Sequence, residues 1–235
     1  MLIKEIIQRV QSLYSKGVQS DDSRLSSRHI FSVLISLRST LLTQKINKKQ
    51  SVSQWNYQTL NCVELIKAMP YECPCLPQVG CEILRTKHKL PKPLQGLMDG
   101  HMLQSVTSLE GSVTFSKTTW RAKKYKRGSK YTSNKPDYFI RDEYLYVTSK
   151  KGARFISIEG LFEDFIEVDN FPNFCEEDCT DCQDCVAIFD KEFPIDRGMI
   201  KTIVEMASVE LLAQFNAGKE DTSNNTRDSI VEDSK

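Results

Sequence analysis

The chain has 235 residues and carries 32 Lys and Arg against 31 Asp and Glu, a net charge of +1, with 40% hydrophobic, 27% charged and 9% aromatic residues. That length suits one ordinary domain with arms and leaves ample material for a core. Balanced charge excludes a surface built throughout for nucleic acid, and the composition excludes global disorder as a default.

No apolar run approaches the roughly 18 residues needed to span a bilayer, and Lys4, Glu5 and Arg9 interrupt any signal-peptide core, so we expect a protein made and kept in a cytosol, with no membrane partner. Leu2, Ile3, Ile6, Ile7, Val10 and Leu13 recur at spacings of three and four, which predicts a short amphipathic helix ending near Gly17. Asp21, Asp22 and Ser23 offer cap oxygens to a second helix running to about Lys49, with Leu25, Ile30, Val33, Leu34, Leu37, Leu41, Leu42 and Ile46 on its apolar side. Such a helix would be about 40 Å long, a rod for a chain of this size.

Residues 63–67 partly alternate, and Pro70, Pro74 and Pro77 then impose an extended or looping segment. Stretches 83–89, 112–120, 138–141, 144–148 and 154–159 are rich in β-branched and aromatic residues and read as strands. Asp142 and Glu143 would make a tight turn and 149–152 the next, which predicts a three-stranded antiparallel meander over 138–159. Residues 160–195 hold eleven acids and one base, Lys191, and predict a long acidic loop with short ordered pieces. Asp196 then caps a last helix with Ile200, Ile203, Val204, Ala207, Leu211 and Phe215 at helical spacing, closed by Gly218. The remaining polar tail has only Ile230 and Val231 as apolar residues beyond position 218, too little to offset its conformational entropy without a neighbour.

The expected class is α+β: an N-terminal helical hairpin with a long helix, a central antiparallel β-rich module, a C-terminal helix and an extended C-terminal arm. In residues, 1–50 with 196–216 form a helical body, 51–160 the β-rich module, 161–195 an acidic Cys-rich loop and 217–235 the arm.

Eight cysteines stand at 62, 73, 75, 81, 175, 179, 182 and 185. In a cytosol, free thiols or a metal site are favoured over a disulfide framework. Cys175, Cys179, Cys182 and Cys185 have a spacing that could close a tetrahedral zinc site, and the first three match a spacing used for iron-sulfur clusters, although the surrounding acids oppose thiolate formation unless a cation is bound. Free thiols are the favoured reading, with no cofactor and zinc as the alternative. Cys73, Cys75 and Cys81 read first as small core residues under a Pro-rich loop. His29, His88 and His101 are the only histidines; no nucleophile elbow, P-loop, dinucleotide fingerprint or zincin motif is present, so nothing points to an enzyme.

The stretch from Trp120 to Tyr131 carries six cations, Arg121, Lys123, Lys124, Lys126, Arg127 and Lys130, interleaved with Trp120, Tyr125 and Tyr131. It could touch phosphates and stack on bases, pair with the acidic loop of a neighbouring copy, or be a solvated surface. Head-to-tail pairing of that kind generates rings when the rotation closes.

Several segments together resemble the ring-forming head-tail connector proteins of crAss-like bacteriophages: residues 26–34 with the helix running on to Leu42, then 53–65, 71–75 and 160–164. The resemblance covers most of residues 20–215 and implies a non-enzymatic virion protein. It implies a ring of twelve copies stacked between portal and tail, which extends the DNA channel and supports genome retention and ejection. Partners would be its own copies, the portal, adjacent connector or tail proteins and, transiently, packaged DNA, with assembly in the host cytoplasm and the arm docking on the portal. A zinc-stabilised nucleic-acid-binding module is the alternative, using the four cysteines at 175–185 and the basic ribbon.

Overall fold

A computed structural model describes residues 1–15, 25–68, 83–97, 100–122, 130, 135–148, 153–175 and 187–216. The chain divides into two units, Met1–Arg38 with Val186–Lys235, and Ser39–Cys185.

In the first unit, α1 (Ile3–Tyr14) buries Ile3, Ile6, Ile7 and Val10, the stripe expected from their spacing. Its first turn is closed by Glu5, whose carboxylate accepts the Leu2 amide at 3.1 Å. The long helix α2 (Ser27–Asn47) starts in this unit. Its cap is Ser26, whose Oγ accepts the His29 amide at 3.2 Å. The expected caps fall earlier: 21–23 lie outside the described residues, and α2 has 21 residues, about 32 Å, instead of about 40. The last helix, α4 (Arg197–Asn216), buries Ile200, Ile203, Val204, Ala207 and Leu211 and packs against α1. Residues 191–193 run alongside the N-terminus, the Ile3 amide donating to the Lys191 carbonyl and the Phe193 amide to the Met1 carbonyl, both at 3.0 Å.

The second unit is built on seven strands: β1 (Gln58–Lys67), β2 (Ile83–Thr86), β5 (Leu103–Ser108), β6 (Ser116–Lys117), β7 (Asp137–Arg141), β8 (Tyr144–Thr148) and β9 (Phe155–Gly160). They order as β5-β9-β1-β2-β8-β7-β6, and a separate two-stranded ribbon pairs β3 (Gln95–Gly96) with β4 (Gly100–His101). All pairs are antiparallel except β6 with β7. β7 and β8 form the expected hairpin, and Asp142 and Glu143 both have positive φ, 52° and 66°, as a primed two-residue turn requires.

The rest of the meander is corrected. β9 does not pair with β8; β1 and β2 stand between them, and β9 pairs with β1 and β5. Ile156 and Ile158 of β9 join Leu60, Val63 and Leu65 of β1 and Val106 of β5 in one core, and Leu145 and Val147 of β8 face the same core from further along the sheet. The long strand expected over 112–120 is only the two-residue β6.

β1 is the strand that holds the sheet together. Its first part pairs with β9 and its last three residues with β2, and a bulge between Leu60 and Val63 sets two residues, Asn61 and Cys62, against one. That extra residue keeps Leu60, Val63 and Leu65 in the same core although their spacing breaks strict alternation. Phe162 and Val168, the latter on the short helix α3 (Phe165–Asp169), also enter this core. The segment expected as an acidic loop thus supplies ordered pieces: Asp164 Oδ1 caps α3 by accepting the Ile166 amide at 2.8 Å.

Candidate interaction surfaces

Three features of the sheet unit bear on function: a covalent tie, an aromatic cluster next to the basic ribbon, and an open cleft. The tie follows from the β1 bulge. Cys62 sits there with φ 51° and is 3% exposed, and it forms a disulfide with Cys175, Cα to Cα 5.6 Å, across 113 residues. Cys175 itself is exposed. Next to it, Phe174 stacks on His88 at 5.6 Å, and the Lys87 ammonium lies 4.7 Å from its ring.

The disulfide corrects two expectations. Cys62 and Cys175 are not free thiols, and Cys175 is not available as the fourth member of a zinc set in this state. Cys179, Cys182 and Cys185 lie outside the described residues, as do Cys73, Cys75 and Cys81. Among the described residues, no group of three or more His, Cys, Asp or Glu is arranged to hold a metal. The histidines have structural contacts: His29 Nε2 hydrogen-bonds Gln214 Oε1 at 3.1 Å, His88 stacks as above, and the His101 carbonyl accepts from Lys117 Nζ at 2.8 Å.

On the side of β2, β7 and β8 away from the main core, Ala68, Ile83, Phe139 and Tyr146 form a second, smaller core, against which Trp120 and Tyr144 pack. Phe139 and Tyr146 stack at 5.1 Å and Trp120 lies 5.3 Å from Phe139. Trp120, expected as a possible base-stacking residue, is therefore an anchor that roots the start of the basic ribbon on the sheet. Thr119 Oγ1 accepts the Ala122 amide at 3.2 Å at the same point. Arg121 and Lys130 are exposed; Lys123, Lys124, Lys126 and Arg127 lie outside the described residues.

The acids expected to face a neighbour are largely engaged at home where they are described. Glu163 pairs with Lys92 at 2.9 Å, Asp190 with Lys4 at 2.6 Å and Glu192 with the N-terminal ammonium at 3.8 Å, while Asp164 caps α3. The Asp190 hydrogen bond, then its charge, raises the Lys4 pKa. Residues 176–184, the densest part of the acidic stretch, lie outside the described residues.

The cleft, of about 770 Å³, lies between residues 87–92, the β7–β8 turn and α3. Its walls are tied by main-chain bonds: the Leu90 amide donates to the Glu143 carbonyl at 2.8 Å and the Glu163 amide to the Lys92 carbonyl at 2.9 Å. Lys87, Lys89 and Lys92 rim it, paired with Glu64, Glu143 and Glu163 at 2.7, 2.6 and 2.9 Å. The Lys89 hydrogen bond holds the Glu143 carboxyl below its usual range, and the same bond raises Lys89. The sequence does not show this cleft: the strand expected over 83–89 ends at Thr86, and the freed segment 87–92 forms one wall. Sequence reading also missed two exposed apolar residues, Trp55 (81%) and Leu97 (88%).

Comparison with known proteins gives the class. A family model described as phage tail ring protein 2 matches residues 5–233, and the chain belongs to that family of structural ring proteins. It is a virion-associated head-tail connector ring protein of a crAss-like phage, and its class is structural, not enzymatic. Among curated proteins it is similar to Ring protein 2 of Bacteroides phage crAss001, 27% identical over 227 residues that cover 91% of this chain and 92% of that protein.

Proposed function

We propose that twelve copies close into a ring between portal and tail that extends the DNA channel and supports genome retention and ejection. The observation that carries this reading is the family match over 5–233, nearly the whole chain. In the ring, residues 1–50 and 196–216 form the body, 51–160 packs against the next layer, 161–195 meets the basic ribbon of the adjoining copy, and 217–235 reaches a neighbouring component. Arg121, Lys123, Lys124, Lys126, Arg127 and Lys130 serve that subunit contact, and Trp55 and Leu97 contribute apolar area to interfaces between copies. A net charge of +1 suits a channel through which DNA slides, because many phosphate contacts would retain it.

Native mass spectrometry of the protein, alone and with the portal of the same phage, tests the reading. The expected result is a twelvefold assembly that forms on the portal; a chain that ignores the portal would overturn it. Reversing the charges of Lys123, Lys124 and Lys126 is expected to block assembly, and intact assembly would remove the ribbon from the contact. Trp55→Ser is expected to weaken assembly while leaving the unfolding midpoint unchanged, since the side chain is exposed.

A further inference from the structure

The cleft beside the β7–β8 turn and the composition of the C-terminal arm match each other. Leu90, 7% exposed, with Pro91, Ile166 and Phe171 gives the cleft an apolar floor under its lysine rim. In the arm, Ile230 and Val231 are the two apolar residues between 219 and 235, and Asp228, Glu232 and Asp233 flank them. We propose that this cleft receives the Ile230–Val231 segment from the arm of a neighbouring copy, the two aliphatic side chains on the floor and the flanking carboxylates on Lys87, Lys89 and Lys92. The proposal rests on the reading above that residues 217–235 reach outside their own fold.

Reach and charge both support it. From Asn216, where α4 ends, to Ile230 is 14 residues, up to about 46 Å of extended chain, enough to cross into an adjoining copy. The Lys89–Glu143 and Lys92–Glu163 pairs are exposed, and exposed pairs contribute little, so exchanging one carboxylate partner for another costs little there; Lys87 keeps the less exposed Glu64 and can accept a further carboxylate beside it. Nucleic acid is the poorer occupant, because its phosphates and sugars offer no aliphatic side chain to the floor of Leu90, Pro91, Ile166 and Phe171. The wall formed by Phe171 and Pro172 lies just before Cys175, so the disulfide to β1 holds it in place and lowers the ordering entropy of binding.

The test uses phage particles in which the full chain carries a photo-crosslinking residue in place of Asn170 or, separately, of Lys89. Illumination is expected to give a covalent dimer of this chain, with residues 228–233 mapped to the probe by mass spectrometry. Ile230→Asp with Val231→Asp should cut the dimer yield at least about tenfold, because two buried aliphatic groups become two desolvated carboxylates. Ile230→Leu with Val231→Ile should preserve it. Particles that contain the chain but give no crosslink from either position, an arm crosslinked only within its own chain, or a crosslink to the portal or another protein would each overturn the docking and leave the ring reading standing. A chain absent from purified particles would overturn both.

Discussion

The helical unit and the sheet unit solve the same problem with different devices. In the helical unit α1, α4 and the part of α2 up to Arg38 each satisfy their own backbone and need a neighbour only for one apolar stripe. Among the described residues, the one large polar side chain that it buries completely is Arg38, 0% exposed, whose Nε donates to the Pro194 carbonyl at 2.9 Å. In the sheet unit no strand is complete without a partner, and outside the β7–β8 hairpin and the β3–β4 ribbon the partners are remote: β1 pairs with β9 and β2, and a disulfide then closes a loop of more than a hundred residues over that pairing. Helices can therefore be assembled from independent pieces, whereas the sheet depends on one strand, β1, and on the bulge that aims Cys62 at Cys175.

That contrast sets the largest expected effect. Removing the disulfide with Cys62→Ser and Cys175→Ser, or with a thiol reductant, should destabilise the sheet unit by about 4 kcal/mol, since the cross-link closes a long loop in the unfolded chain. Urea unfolding followed by a β-sheet signal, with and without reductant, measures it. An unchanged midpoint would show that the sheet is held by its ladders alone.

Arg38→Ala is the matching break in the helical unit, expected to cost about 3 kcal/mol, because it leaves a cavity and strips the Pro194 carbonyl of a buried donor. Arg38→Met, which keeps the volume, should cost clearly less. Equal losses from the two variants would assign the effect to hydrogen bonding alone, and helical circular dichroism in urea would separate them. Phe139→Leu, which breaks the ring stack on Tyr146 and the contact with Trp120, should come third, at about 1 to 1.5 kcal/mol. It should also loosen the root of the basic ribbon, read as faster proteolysis between Arg121 and Lys130.

Legibility in the sequence followed the same division. The α1 stripe, the α4 stripe and the Asp142–Glu143 turn were readable because their signals lie within a few residues of one another. The place of β9 was not readable, since alternation in 154–159 says that one face is buried but not against which strand. β1 was only half visible: the bulge at Asn61 and Cys62 breaks the period of two, so the pattern emerged from Val63 onward. The disulfide left no local trace, because its two ends meet through sheet order. The cap was expected among Asp21, Asp22 and Ser23 but is Ser26, a residue type just as able to cap, so residue type alone does not place the start of α2. The cleft arises where three separate segments converge, a coincidence that no linear pattern contains.

The smallest expected effect separates the units by pH. Nδ1 of His101, on the β3–β4 ribbon of the sheet unit, is buried with no hydrogen-bond partner among the described residues. Burial, and then the charge of Lys117, lowers its pKa below the ordinary histidine value of 6.5. A depressed histidine pKa means that the unfolded chain binds the proton first. Its neutral form therefore supports the fold above about pH 6.5, and that support is lost as pH falls from 6.5 through the lower folded value. Between pH 7.5 and 5.5 the sheet unit should lose stability, and His101→Gln should lose less over the same window, with urea midpoints as the readout. Identical pH slopes in the two proteins would mean that water or a rotated ring satisfies Nδ1 and that the ribbon carries no proton-linked stability. A slope of opposite sign would mean that the imidazolium is stabilised in the fold, placing a carboxylate closer to His101 than Lys117 is.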